Sequence, residues 1–229
     1  MSELIKKAKK LLKKICEEYR HHDKDIMQGI RGEELHVLDV LNWVERLSPK
    51  ASIPLKLAAL FHDIDRVVTP KAGGGFKEDR RSKAYLRHKK KHAKRSAEFI
   101  IPILKKQNVN DAILKKTKFL ILHHDDTGEE IEGINNPDLN YLVAADSFAF
   151  FTSIAAKLLE AEGGERIKDK IRFMIDKVPD SIRPLLWEYQ LKNNVFNNLK
   201  NEIIREYYLK NSPREKGLLK DREKVWLSK

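Results

Sequence analysis

The chain has 229 residues, of which 41% are hydrophobic and 35% charged, and it carries a formal net charge of +12 at pH 7. No stretch approaches the roughly eighteen consecutive apolar residues of a membrane span, and the N-terminal segment has no uninterrupted apolar run, so neither a transmembrane helix nor a signal peptide is expected. A single cysteine, Cys16, excludes an internal disulfide and fits a reducing cytoplasm, while the basic balance favours a polyanionic partner: a nucleotide, a nucleic acid or an anionic membrane surface.

The apolar residues recur with helical spacing throughout, and no segment alternates as a set of strands would, so an all-α bundle is expected. The first helix covers about residues 4–19, with Leu4, Ile5, Ala8, Leu11, Leu12 and Ile15 on one face and lysines on the other. A second runs from about 33 to 47, places His36 in its first turn and stops at Ser48-Pro49. Ser52 is a candidate N-cap for a third helix, with Pro54 tolerated in its first turn, that ends in His62-Asp63. Residues 65–88 read as irregular. A helix over about 89–106 carries His92 near its start, and another over about 110–123, capped by Asn110 or Asp111, ends at His123-His124. The acidic, turn-rich stretch 125–137 leads to a long apolar helix over about 138–160 that contains Asp146 and is broken by Gly163-Gly164. Two further helices are expected at about 165–177 and 182–209, followed by a loosely ordered basic tail. The whole chain is expected to form one domain, with a core of about 30–150 and extra C-terminal helices over 160–229.

Charge is concentrated rather than spread. Between Lys71 and Arg95 eleven Lys and Arg stand against Glu78 and Asp79, a net +9. The segment includes Gly73-Gly74-Gly75 and lies between two ligand candidates, Asp63 and His92. It reads as a flexible, phosphate-gathering lid. The chain contains no phosphate loop of the GxxxxGK type, no GxSxG elbow and no Cys-x-x-Cys pair.

The residues that carry chemistry stand in a fixed order: His36, His62-Asp63, His92, His123-His124, Asp146. Imidazoles and carboxylates are the ligands of Zn, Fe, Mn and Ni, and a carboxylate can bridge two ions. A buried aspartate in an apolar helix such as Tyr141–Phe151 is costly unless it is paired or binds a metal. Three apolar helices each deliver such groups at or near an end or within a buried stretch, which points to a site for one or two divalent transition-metal ions.

That order resembles the HD superfamily of metal-dependent phosphohydrolases. Ala58–Arg66 (AALFHDIDR) is similar to the signature helix of the family, and Lys91–Glu98 (KHAKRSAE) to the histidine-bearing helix of its two-metal members. The resemblance spans about residues 30–150. It implies an HD-like helical bundle in which His36, His62, Asp63 and Asp146 hold one ion. Asp63 would bridge to a second ion held by His92 and by His123 or His124, the other of that pair contacting substrate. A metal-activated hydroxide would then attack phosphorus, with Asp63 and Arg66 in the catalytic machinery and Arg66, Lys94, Arg95 and His124 contacting the substrate phosphate. A GYP-type motif, found in the cyclic-dinucleotide phosphodiesterases of the family, is absent after His123-His124. The Glu-Asp signature of the alarmone hydrolases is missing after His62-Asp63, so the resemblance selects no substrate. Two other readings compete with hydrolysis of a nucleotide or related phosphate ester. One is a di-iron oxygenase, since relatives with this ligand set include such enzymes. The other is a nucleic-acid-binding protein with a structural metal, which the basic segments support.

Overall fold

A computed structural model describes residues 2–20, 24–70, 82–126, 134–155, 164–191 and 194–211, and the described residues are all-α with no strand among them. In chain order the helices are α1 (Glu3–Glu18), α2 (Lys24–Leu47), α3 (Ile53–Phe61), the one-turn α4 (Asp65–Val68), α5 (Lys83–Lys106), α6 (Asp111–His123) and α7 (Pro137–Ala149). A wider π-helical turn (Phe150–Ile154), α8 (Gly164–Asp176), α9 (Arg183–Glu188) and α10 (Asn194–Asn211) follow. None of these helices is long and apolar enough to cross a membrane.

Local signals set most of the boundaries. The hydroxyls of Ser2, Ser52 and Ser82 accept the N–H groups of Ile5, Leu55 and Tyr85, and the side chains of Asn110 and Asn136 accept those of Ala112 and Leu139, so five of the described helices begin with a side-chain cap. Two helices start earlier than their sequence suggests. α2 begins at Lys24, not near residue 33, which puts His36 in the middle of the helix rather than in its first turn. Gly29 and Gly32 look like helix breakers, but an added Cβ at either would meet nothing within 4 Å. They lie on the open side of α2, and their cost of about 1 kcal/mol each is absorbed by the packing of the other face. α5 begins at Lys83, not at 89, so Lys89 and His92 sit one turn apart on one helix face.

The C-terminal part also departs from expectation. The helix read as 182–209 is two helices, α9 and α10, and part of 65–88 is helical. After α7 the backbone widens where Thr152 is pinned to α2: its hydroxyl lies 2.5 Å from Asp39 Oδ2 and accepts the Trp43 indole N–H at 3.2 Å. The glycine-rich segment expected as a lid (71–81) and the tail from 212 lie outside the described residues.

One contiguous set of buried side chains runs from Ile5 to Ile204. α2 lies against α3, α7 and the π-helical turn; α6 lies against α3 and α5; α8 packs on α10. Trp43 on α2 stacks on Phe148 with ring centroids 4.6 Å apart and meets Tyr189 edge-on at 4.8 Å, which ties the chain beyond α9 to the centre.

Lys200 on α10 is fully buried and donates to the carbonyls of Leu186 and Tyr189 at 2.7 and 2.5 Å, satisfying the C-terminal end of α9. Burial pushes its ammonium down to about 8 from an ordinary value of 10.5. Between those two values the unfolded chain holds a proton that the folded protein has released, so stability rises with pH across that window. The melting temperature of the wild type is therefore expected to climb relative to that of Lys200→Met between about pH 8 and 10.5, by the equivalent of about 3 kcal/mol over the whole range. A difference that stays flat with pH would show that Lys200 keeps its charge throughout.

Candidate metal centre

The ligand candidates converge where α2, α3, α5, α6 and α7 meet. His36 comes from the middle of α2 and Asp146 from α7; His62 and Asp63 follow α3; His92 comes from α5; His124 and Asp125 follow α6. All seven are buried, none more than 7% exposed.

Asp63 is the hub. Its Oδ1 lies 2.7 Å from His92 Nε2, 3.3 Å from His124 Nε2 and 3.8 Å from His62 Nε2, and its Oδ2 lies 3.0 Å from Arg66 Nε. At one end of the cluster His36 Nε2 is 3.0 Å from Asp146 Oδ1, which is 3.8 Å from His62 Nε2. At the other, His124 Nε2 is 3.1 Å from Asp125 Oδ2. Three sets of donor atoms result: His36, His62 and Asp146; His62, Asp63 and His124; His92, His124 and Asp125, each set lying within 4.8 Å of one another. The sets share His62 and His124, so they form one continuous row.

Backbone carbonyls fix the tautomers of the two shared histidines. His62 Nδ1–H donates to the Ala59 carbonyl at 3.1 Å and His124 Nδ1–H to the Ile121 carbonyl at 2.7 Å, because a carbonyl can only accept. Both rings sit at helix C-termini and bond back one turn, which aims Nε2 into the cluster, where a metal ion would take its lone pair. His62 Nε2 is buried without a hydrogen-bond partner among the described residues. An orphaned imidazole nitrogen facing carboxylates is what a divalent cation would satisfy, so the residues present fit a metal ion.

His92 is held from both sides. Its Nδ1 lies 2.8 Å from Asp65 Oδ2, and Asp65 is gripped in turn by the Arg95 fork at 2.7 and 2.8 Å and by the Thr69 hydroxyl at 2.8 Å. This carboxylate–histidine arrangement orients a ligand ring and raises its basicity. Asp65→Asn is therefore expected to weaken metal uptake by roughly 10- to 100-fold while leaving the fold intact, read by competitive metal titration. Unchanged affinity would remove Asp65 from the positioning role.

The electrostatics are those of a densely paired cluster. Burial works against ionisation of Asp63, but Arg66 and the histidines outweigh it and hold its carboxyl well below the usual range. Asp125 and Asp146 are likewise held down against burial, Asp125 by His124, Lys89 and Lys177, and Asp146 by Lys177 and His36. Burial opposes protonation of His124, yet the Asp125 and Asp63 carboxylates lift it to about 9. Lys177, at the end of α8, lies 2.5 Å from Asp146 Oδ2 and 3.5 Å from Asp125 Oδ1, and Lys89 lies 2.7 Å from Asp125 Oδ2.

Three of the residues expected at the site are placed elsewhere. His123 points away from the cluster: its ring lies against Phe119, its Nδ1 is 2.6 Å from Asp126 Oδ2, and its side chain is 35% exposed. Successive helical residues point about 100° apart, so only His124 of the pair reaches Asp63. Lys94 is exposed on α5 and pairs with Glu98 at 3.6 Å, one turn on, and so faces solvent rather than a substrate at the cluster. Arg95 sets its fork on Asp65, the carboxylate that holds His92 Nδ1. Arg66 does stand at the cluster, between Asp63 and Glu33 Oε1 at 3.3 Å.

The residues that the sequence reading passed over are Asp65, Asp125, Lys89 and Lys177. Asp125 follows His124 directly, and its signal is masked because it opens the acidic, turn-rich stretch 125–137. Lys89 has a sequence signal, its i,i+3 relation to His92, already present within the helix expected over about 89–106. Lys177 lies more than thirty positions from Asp146 and has no local signal.

Fold and site together define an all-α protein with a buried His/Asp cluster of metal-binding composition. The family described as a domain of unknown function (DUF4202) matches residues 7–197, and the chain belongs to that family. No curated protein and no solved structure matches it.

Proposed function

We propose that this protein is a metal-dependent phosphohydrolase or phosphodiesterase of the HD type, acting on a nucleotide or related phosphate ester. The observation that carries the reading is the continuous row of three buried donor sets with an unpartnered His62 Nε2 in it. A structural site closes around one ion with four ligands, whereas this row offers His36, His62, Asp63 and Asp146 at one end and Asp63, His92, His124 and Asp125 at the other. Nitrogen and carboxylate donors without thiolate suit Mn, Fe, Ni or Zn. The lone, buried Cys16 fits a reducing, cytoplasmic setting.

Bound divalent ions supply Lewis acidity and a water of lowered pKa. The chain does the rest. Asp63, centred among three imidazoles, would hold metal together with them. Arg66 lies at the rim with its side chain 31% exposed, and the face of its fork not spent on Asp63 and Glu33 can grip phosphate oxygens. Lys89 and Lys177 balance the Asp125 and Asp146 carboxylates and keep them ionised for binding. The buried walls exclude bulk water, which strengthens each of these interactions.

The test is elemental analysis after reconstitution with Mn or Fe, on the wild type and His92→Ala, combined with hydrolysis of p-nitrophenyl phosphate and its bis-ester under anaerobic conditions. About two ions per chain falling to about one in the variant, with turnover in the absence of dioxygen, is the expected result. No bound metal, or turnover only with iron and dioxygen, overturns the hydrolase reading; the second outcome would favour a di-iron oxygenase.

A further inference from the structure

The two faces of α1 have opposite surroundings. Ile5, Ala8, Leu12 and Ile15 are buried, and the helix packs on α3, α2 and α4. The outward face is basic: between Leu4 and Cys16 stand Lys6, Lys7, Lys9, Lys10, Lys13 and Lys14, with no acidic residue among them. All but the partly buried Lys9 are exposed. Lys14 reaches Glu18 at 3.5 Å, and the other five have no ion-pair partner among the described residues. This arrangement works against the helix. Lys6 and Lys10, Lys9 and Lys13, and Lys10 and Lys14 are four residues apart, Lys6 and Lys9, Lys7 and Lys10, and Lys10 and Lys13 three apart, and like charges at these spacings are destabilising. A cation favours a helix in its last turn, yet the last turn of α1 holds Glu17 and Glu18 and no basic residue. Solubility is served by interspersed charges of both signs, not by one sign gathered on one face. An anion outside the chain accounts for lysines that the fold itself does not use.

We propose that the lysine face of α1 binds the phosphate backbone of a duplex nucleic acid without regard to sequence. The inference is independent of the hydrolase reading and holds with or without metal. Charge complementarity carries it. From Lys6 to Lys14 the helix rises roughly 12 Å, and over that length a duplex presents about seven phosphate charges, both strands counted. Lysine meets a phosphate as a point charge and lacks the planar fork with which arginine grips paired acceptors, so a face made of lysine alone positions the duplex without reading its bases. A single strand would need aromatic rings on which its bases could stack. α1 has none, and Tyr19, just beyond it, is set edge-on against Phe99 with ring centres 6.1 Å apart. A membrane-surface helix buries its apolar face in lipid, and that of α1 is already packed on the core.

The test follows the fluorescence anisotropy of a short labelled DNA duplex of mixed sequence, titrated with full-length protein at a series of salt concentrations. Three proteins are compared: the wild type, Lys6→Gln/Lys10→Gln/Lys13→Gln on α1, and Lys115→Gln/Lys116→Gln/Lys118→Gln on α6, whose lysines are also exposed. The two variants lose the same formal charge from different faces. Each phosphate contact contributes about 0.9 to the slope of log affinity against log salt, so the α1 variant should show a slope shallower by about 2–3 and bind at least roughly tenfold more weakly at low salt. The α6 variant should stay within about twofold of the wild type. Thermal melting, expected at or above the wild-type value because the replaced charges repel one another, checks that the α1 variant is folded. No duplex binding by the wild type overturns the proposal. Equal weakening in both variants also overturns it, assigning the binding to net charge alone. Binding to phosphatidylserine vesicles that depends on α1, without binding to the duplex, overturns it in favour of a membrane surface.

Discussion

Asp63→Asn is expected to lower turnover by roughly 10³-fold or more and to bring bound metal from about two ions to one or none, because the Lewis acidity at stake amounts to several kcal/mol. The reason is the position of the carboxylate. Its Oδ1 faces His92, His124 and His62 within 3.8 Å, and no other acidic side chain among the described residues reaches all three. Asparagine keeps the shape but presents a neutral amide that binds transition metals poorly. In the metal-free protein the substitution also leaves Arg66 with Glu33 alone and His92 with Asp65 alone, so a loss of about 3 kcal/mol in stability is expected. Elemental analysis, turnover and thermal melting read the three effects separately. A variant that folds, binds a full complement of metal and turns over normally would show that Asp63 is only a structural counter-charge to Arg66.

What the sequence reveals and what it hides follow one rule: local chemistry is legible, and pairings over long distances are not. The caps at Ser52 and Asn110 and the apolar faces of α1, α3 and α6 are written in a few neighbouring residues. So is the delivery of His62-Asp63 and His123-His124 to helix ends. The start of α2 is hidden because Gly29 and Gly32 carry a breaker signal that tertiary packing overrides. The choice between His123 and His124 depends on which way the last turn of α6 faces, and that is set by contacts with α3 and α5, not by the pair itself. Arg95 illustrates the same limit. As a cation one turn from His92 it reads as a phosphate contact, but Asp65, thirty residues away, has claimed it. Lys177 is hidden for the same reason, its partners lying in distant segments.

The second large effect is expected at Lys177, and metal should reverse it. This ammonium is 2% exposed and lies between Asp146 and Asp125, whose charges keep it protonated well above the ordinary lysine range although burial opposes this. Lys177→Met keeps the length and apolar stem but removes the charge, so Asp146 is left with His36, and Asp125 with Lys89 and His124, as compensation. Breaking a buried pair from one side costs about 3–5 kcal/mol. The pH dependence has a definite sign. Asp146 has a depressed folded value, so its contribution to stability is present above the ordinary carboxylate value and is lost as pH falls through the folded value. Without Lys177 that depression shrinks. The gap between wild type and variant should then be widest near neutral pH and close as the carboxylates protonate in acid. A divalent ion bound by Asp146 supplies the missing positive charge directly. Added Mn should therefore raise the melting temperature of Lys177→Met by more than that of the wild type and remove most of the deficit, whereas sodium at equal ionic strength should not. A deficit that is the same at every pH, with and without metal, would mean that Lys177 acts through packing alone. It would also weaken the view that these carboxylates are arranged to receive a cation.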